Sequence, residues 1–156
     1  MQGLTASQNL DHALICLQEL SKAWGGTVSA SKGIQIILAR QLASSVAMPI
    51  LLVDAEGTLI FYNEPAEAIL NQRFEETGEI PADEWAKLIA VTDEDRNPMS
   101  PEDRPIRATL LERRPLSKKM WVQSGDGPWR HLHVTSFPLI GEGDRLLGAM
   151  NIFWEI

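Results

Sequence analysis

The side chains best suited to chemistry are few and scattered through the 156 residues. His131 and His133 stand two apart in a β-like stretch, so strand alternation puts both on one face with Trp129, Thr135 and Phe137. Two such histidines can share a metal ion. No third ligand stands at a readable spacing, so half-exposed sheet histidines are the expectation and no metal site is assigned. Asp93-Glu94-Asp95 lacks the loop spacing and glycine of an EF-hand and reads as solvated loop. Gly125-Asp126-Gly127 and Gly141-Glu142-Gly143 lack the following helix start that a phosphate cradle needs, and read as hairpin turns. Ser44-Ser45 falls in a helical stretch rather than on a nucleophile elbow. No acid and base can be paired by spacing. The chain is therefore read as not an enzyme.

Charge narrows the partners. Lys and Arg number 14 against 21 Asp and Glu, a net charge of −7. Affinity for DNA or RNA rests on clustered cations, so a nucleic-acid partner is not expected. The acids concentrate in residues 75–103 and the bases in 104–119. Such runs are mostly solvated faces, though they would also give a polarised surface for a partner. No apolar run approaches the ~20 residues of a membrane span. The start MQGLTASQNLDH has neither a basic region nor an apolar core of a secretory signal. Cys16 is alone, which excludes an internal disulfide and fits a reducing compartment. A cytoplasmic location and no membrane association are expected.

The elements that must position any site change character along the chain. Residues 7–24 place Leu10, Leu14, Leu17, Leu20 and Trp24 along one side of a helix that Gly25-Gly26 ends. A second helix covers 28–47, with Ile34, Ile37, Leu38, Leu42 and Val46 as its stripe, and stops before Pro49. Ile50–Val53 and Thr58–Tyr62 read as strands around the turn Asp54–Gly57. Asn63 caps a short helix with Pro65 in its first turn. Residues 71–101 are mixed, with short helical turns around Trp85. Ser100-Pro101-Glu102-Asp103 starts a helix expected to run to about Arg113. Residues 116–123, 129–139 and 145–154 read as three hairpin-linked strands. The organisation is a helical segment, 1–47, ahead of an α+β domain, 48–156.

At residues 48–156 the chain resembles the PAS family. Four stretches carry the resemblance: Pro49–Gly57 as the opening strand and its D-x-x-G turn; Tyr62-Asn63-Glu64-Pro65-Ala66-Glu67 as the asparagine and short helix; Gly125-Asp126-Gly127 with Trp129 as a hairpin; and Pro138-Leu139-Ile140, Gly148-Ala149-Met150 and Glu155-Ile156 as the closing strands. Glu155 stands where the family usually has an aspartate. The resemblance implies a PAS-like five-stranded antiparallel sheet with short helices on one face, preceded by N-terminal amphipathic helices. It also implies a sensory or protein-interaction role in bacterial signal transduction, passing its signal to a downstream effector domain or a partner protein. A homodimer built by residues 7–47 is expected from it, with Leu10, Leu14, Leu17, Trp24, Ile34, Ile37, Leu38 and Leu42 as the candidate interface.

Between sheet and helices such a fold leaves a small apolar space for a ligand. The candidate lining is Leu52, Phe61, Leu70, Phe74, Trp85, Ile106, Leu110, Leu132 and Val134, with strand parity open by one residue. The cofactor is unknown. Haem is disfavoured because residues 75–113 contain no axial histidine. Photoactive flavin is disfavoured because Leu70-Asn71-Gln72-Arg73-Phe74 lacks the cysteine such members use. Two other readings stand beside the sensory one. One is a transcriptional regulator, with a faint helix-turn-helix over Ala13–Ala43. The other is a small metal-dependent enzyme using His131 and His133.

Overall fold

The computed structural model describes residues 30–156, with side chains from residue 33 onward. Leu10, Leu14, Leu17 and Trp24 lie outside the described residues, as does most of the helix-turn-helix stretch. Helix α1 is Ala30–Ser45. Strands β1 (Ile50–Asp54) and β2 (Leu59–Tyr62) come next, then helices α2 (Glu64–Leu70), α3 (Phe74–Thr77) and α4 (Ala82–Leu88). Strand β3 is Ile89–Thr92, α5 is Pro105–Glu112, and β4 (Leu116–Ser124), β5 (Arg130–Ile140) and β6 (Leu146–Glu155) complete the chain. The strands form one sheet in the order β2-β1-β6-β5-β4-β3, every pair antiparallel.

Residues 38–156 form one compact α+β unit whose core lies between the inner face of the sheet and α2, α4 and α5. It begins inside α1. The reason is local. Ala43 is fully buried, and Asn63 ties the last turn of α1 to the start of α2.

Five strands match the expected ones. The sixth, β3, lies in the stretch expected to be mixed and pairs Ile89–Thr92 with Ser124–Trp121. Its four residues, three of them β-branched, come directly after α4, so no turn signal announces them. The helix expected from Ser100 is broken. Pro101–Asp103 forms one 3₁₀ turn, and α5 restarts at Pro105. Proline drives the residue before it out of helical geometry, and Arg104 is extended, at φ −68° and ψ 142°.

Two glycines are required by geometry. Gly57 closes the β1–β2 turn at φ +90°. Asp54 holds that turn by accepting from Glu56 N at 3.0 Å and Thr58 N at 2.9 Å. Gly148 faces β1 so closely that a Cβ there would lie 2.0 Å from the Val53 carbonyl oxygen. Each edge of the sheet is bridged at one place by the chain itself. Leu59 and Ile80 exchange two backbone hydrogen bonds of 2.8 and 3.0 Å beside β2. Met99 N donates to Val91 O at 2.9 Å beside β3.

Candidate functional site

The inner sheet face carries Leu51 and Val53 from β1, Met120 and Val122 from β4, Leu132 and Val134 from β5, and Ala149 and Phe153 from β6. Above it, Ile69 and Leu70 of α2, Trp85 of α4 and Ile106 of α5 close the space. A cavity of about 50 Å³ remains. Trp85 fixes one side, because its indole N–H donates to Gly57 O at 2.9 Å and ties α4 to the β1–β2 turn.

Two polar side chains interrupt this apolar lining, Arg104 and Asn151. Arg104 is only 8% exposed. Its guanidinium donates to Ala86 O at 3.1 Å and Ile89 O at 3.4 Å, while its Nε finds no partner. Burial pulls its pKa below the usual arginine range, partly offset by the charge of Glu102. Asn151 sits on β6 with its Oδ1 unpartnered, and its cross-strand neighbour Ser136 likewise has an unpartnered Oγ.

Of the residues expected to line the pocket, Leu70, Trp85, Ile106, Leu132 and Val134 do so. Leu110 lies in the same core without reaching the cavity, and Phe74 packs against that core from outside. Leu52 and Phe61 are corrections. They pair across β1 and β2 but on the other face of the sheet, where Phe61 meets the Phe74 ring edge-on at 5.3 Å. Every residue of Ile50–Val53 is buried, so this run offers no alternation from which to read its inner side. Leu51, Met120 and Phe153 join the lining once the parity is known. Arg104 and Asn151 had no sequence signal, since both types ordinarily face water.

A haem or flavin does not fit this space. Pockets for ligands of that size run to roughly 300–1,000 Å³, several times the 50 Å³ present. The described residues of the counterpart helix region, Leu70 to Phe74, hold neither cysteine nor histidine.

Asn63 makes the densest set of side-chain hydrogen bonds among the described residues. Its Oδ1 accepts from Ile50 N at 2.9 Å and from Ala66 N at 3.2 Å, the second bond capping α2. Its Nδ2 donates to Ala43 O and Met48 O at 2.8 Å each, and to Val46 O at 3.4 Å. One side chain thus holds the end of α1 and the start of α2. Nearby, Arg40 donates to Ile60 O, pairs with Glu79 and lies over the Phe61 and Phe74 rings. Desolvation lowers its pKa, against the pull of Glu79.

On the outer face, His131 stacks on Trp121 with centroids 4.4 Å apart, and Arg96 lies 3.5 Å from the centre of that indole. His133 hydrogen-bonds Ser117 Oγ at 2.7 Å and tilts against Trp154. Among the described residues no three His, Cys, Asp or Glu stand together as a metal site. No helix there is long and apolar enough to cross a membrane. Along α1, Leu38 and Leu42 are each 58% exposed and Ile34 is 38% exposed, while Ile37 is half-buried.

The sequence matches no family model and no curated protein. Solved structures do resemble this one. The Rhodobacter sphaeroides LOV protein superimposes with a TM-score of 0.60 at 17% identity, over 78% of this chain and 67% of that one. The PAS domain of nitrogen regulation protein NR(II) from Vibrio parahaemolyticus gives 0.55 at 16% identity, over 76% and 98%. The PAS domain of Bordetella pertussis BvgS gives 0.53 at 17% identity, over 78% and 85%. The chain has the PAS fold.

Proposed function

We propose that this PAS-fold chain is a non-catalytic sensory module of bacterial signal transduction, working in the cytoplasm as a homodimer. A small molecule held between sheet and helices biases one packing of the N-terminal helices over another. A downstream effector domain or a partner protein then reads that packing. The names of the structural neighbours support the sensory part, since one is a nitrogen regulation protein.

The observation that carries the reading is the place of Asn63. The helix it caps, α2, supplies Ile69 and Leu70 to the cavity, and the helix end it holds belongs to α1. A shift of α2 on ligand binding therefore acts on the last turn of α1 through a single rigid amide. The exposed Leu38 and Leu42 make α1 the candidate dimer element, because solvent-facing leucines four apart form a stripe that a second copy would cover.

Light scattering on the full chain tests this. A dimer at micromolar concentration is expected, dissociating in the Leu38→Glu, Leu42→Glu double variant with its circular dichroism unchanged. A monomeric full chain would refute the dimer.

A further inference from the structure

Among the described residues five polar side chains are buried: Asn63, Arg104, Thr109, Ser136 and Asn151. Asn63 is fully engaged in holding helix ends. Of the other four, Arg104 and Asn151 line the cavity and Thr109 and Ser136 do not. Thr109 Oγ1 donates to Ser136 O at 3.5 Å, Ser136 faces Asn151 across β5 and β6, and Asn151 shares the cavity lining with Arg104. Three of the four carry a polar atom with no partner: Arg104 Nε, Ser136 Oγ and Asn151 Oδ1.

Buried polar groups in folded proteins are nearly always satisfied, so two orphans lining one cavity, Arg104 Nε and Asn151 Oδ1, point to something that satisfies them. Their chemistry is mostly donating. Arg104 brings a positive charge. No carboxylate forms an ion pair with it among the described residues, and Glu102 acts on it only at longer range. A buried cation is ordinarily paired with an anion. Rotating the Asn151 amide about one bond puts Nδ2, a donor, where Oδ1 stands. The remainder of the lining is apolar, and the volume of about 50 Å³ admits only a few heavy atoms.

We propose that this cavity binds a short monocarboxylate, of roughly two to four carbons by its volume. Arg104 Nε and the turned Asn151 amide receive the carboxylate, and Met120 and Phe153 line the space for its tail. This deepens the sensory reading above and rests on it. Met120 gives the site some latitude, because an unbranched thioether repacks at little cost.

The experiment is a ¹⁵N-resolved NMR titration of the full chain with sodium propionate, against sodium chloride at matched ionic strength. Propionamide, the neutral isostere, runs in parallel. Propionate is expected to move the Arg104 Nε–H and Asn151 side-chain signals together with the amides of residues 134–136 and 151–153. Arg104→Gln should weaken binding about tenfold or more, and Asn151→Ala severalfold. Thermal unfolding of each unliganded variant guards against a folding artefact. If propionamide binds as well as propionate, and Arg104→Gln does not matter, the carboxylate assignment falls and the ligand cavity stands. If neither probe moves the cavity signals, or shifts appear only at surface lysines and arginines, the assignment falls, and the oligomeric state read by light scattering decides the sensory reading separately.

Discussion

Replacing Asn63 tests the connection between the two helices most directly. In Asn63→Ala the cap of α2 is lost, which typically costs about 1 kcal/mol. Ile50 N and the Ala43 and Met48 carbonyls lose bonds of 2.8 to 2.9 Å. Each orphaned group adds about 1 kcal/mol, less where water can return. Met48 is 40% exposed, so its carbonyl is discounted. The sum is a loss of about 3 kcal/mol, a large share of an ordinary domain's stability. Guanidinium denaturation followed by circular dichroism measures it, with an unchanged slope as the sign that the unfolded state is unaffected. Asn63→Asp divides the effect. It keeps the acceptor for Ile50 and Ala66 but sets a carboxylate against the Ala43, Val46 and Met48 carbonyls. It should cost about 2 kcal/mol, with hydrogen-exchange protection lost mainly over residues 38–46. A cost below about 1 kcal/mol for Asn63→Ala, or exchange loss spread evenly over the fold, would refute the claim that this amide joins α1 to α2.

Two further outcomes come from the geometry. Gly148→Ala should cost about 3 kcal/mol or more, since its Cβ would stand 2.0 Å from the Val53 carbonyl oxygen, and the loss should appear as broken β1–β6 pairing in hydrogen exchange. Asp93 accepts from the Asn97 side chain at 3.0 Å and from its backbone N–H at 2.8 Å, which holds its pKa below the usual aspartate range. With the folded value depressed, the stabilisation is present above the unfolded aspartate pKa and lost as pH falls through the folded one. A carboxyl NMR titration should show Asp93 moving upward in Asn97→Ala.

The long strands were legible because glycine turns separate them and their polar faces alternate. Leu132, Val134 and Ser136 point inward, with His131, His133 and Thr135 on the other side. Asn63 was legible as a cap because its type and the proline two residues on specify one. Its grip on α1 was not, since that depends on where Ala43 and Met48 are brought in space. β1 hid its inner side because both of its faces are covered. β3 hid because four residues carry too little pattern. The polar end of the cavity was the least readable part. Composition places arginine and asparagine at the surface, and only the break before Pro105 together with the register of β6 turns Arg104 and Asn151 inward.

The bridged sheet edges have a consequence for how this chain meets others. An open edge is a template on which a foreign strand can lengthen the sheet. Here Ile80 takes the hydrogen bonds of Leu59 and is followed by Pro81, while Met99 takes Val91 and is preceded by Pro98. Prolines that offer no N–H stand beside both seals. Growth by strand addition is thereby discouraged where these two bridges stand.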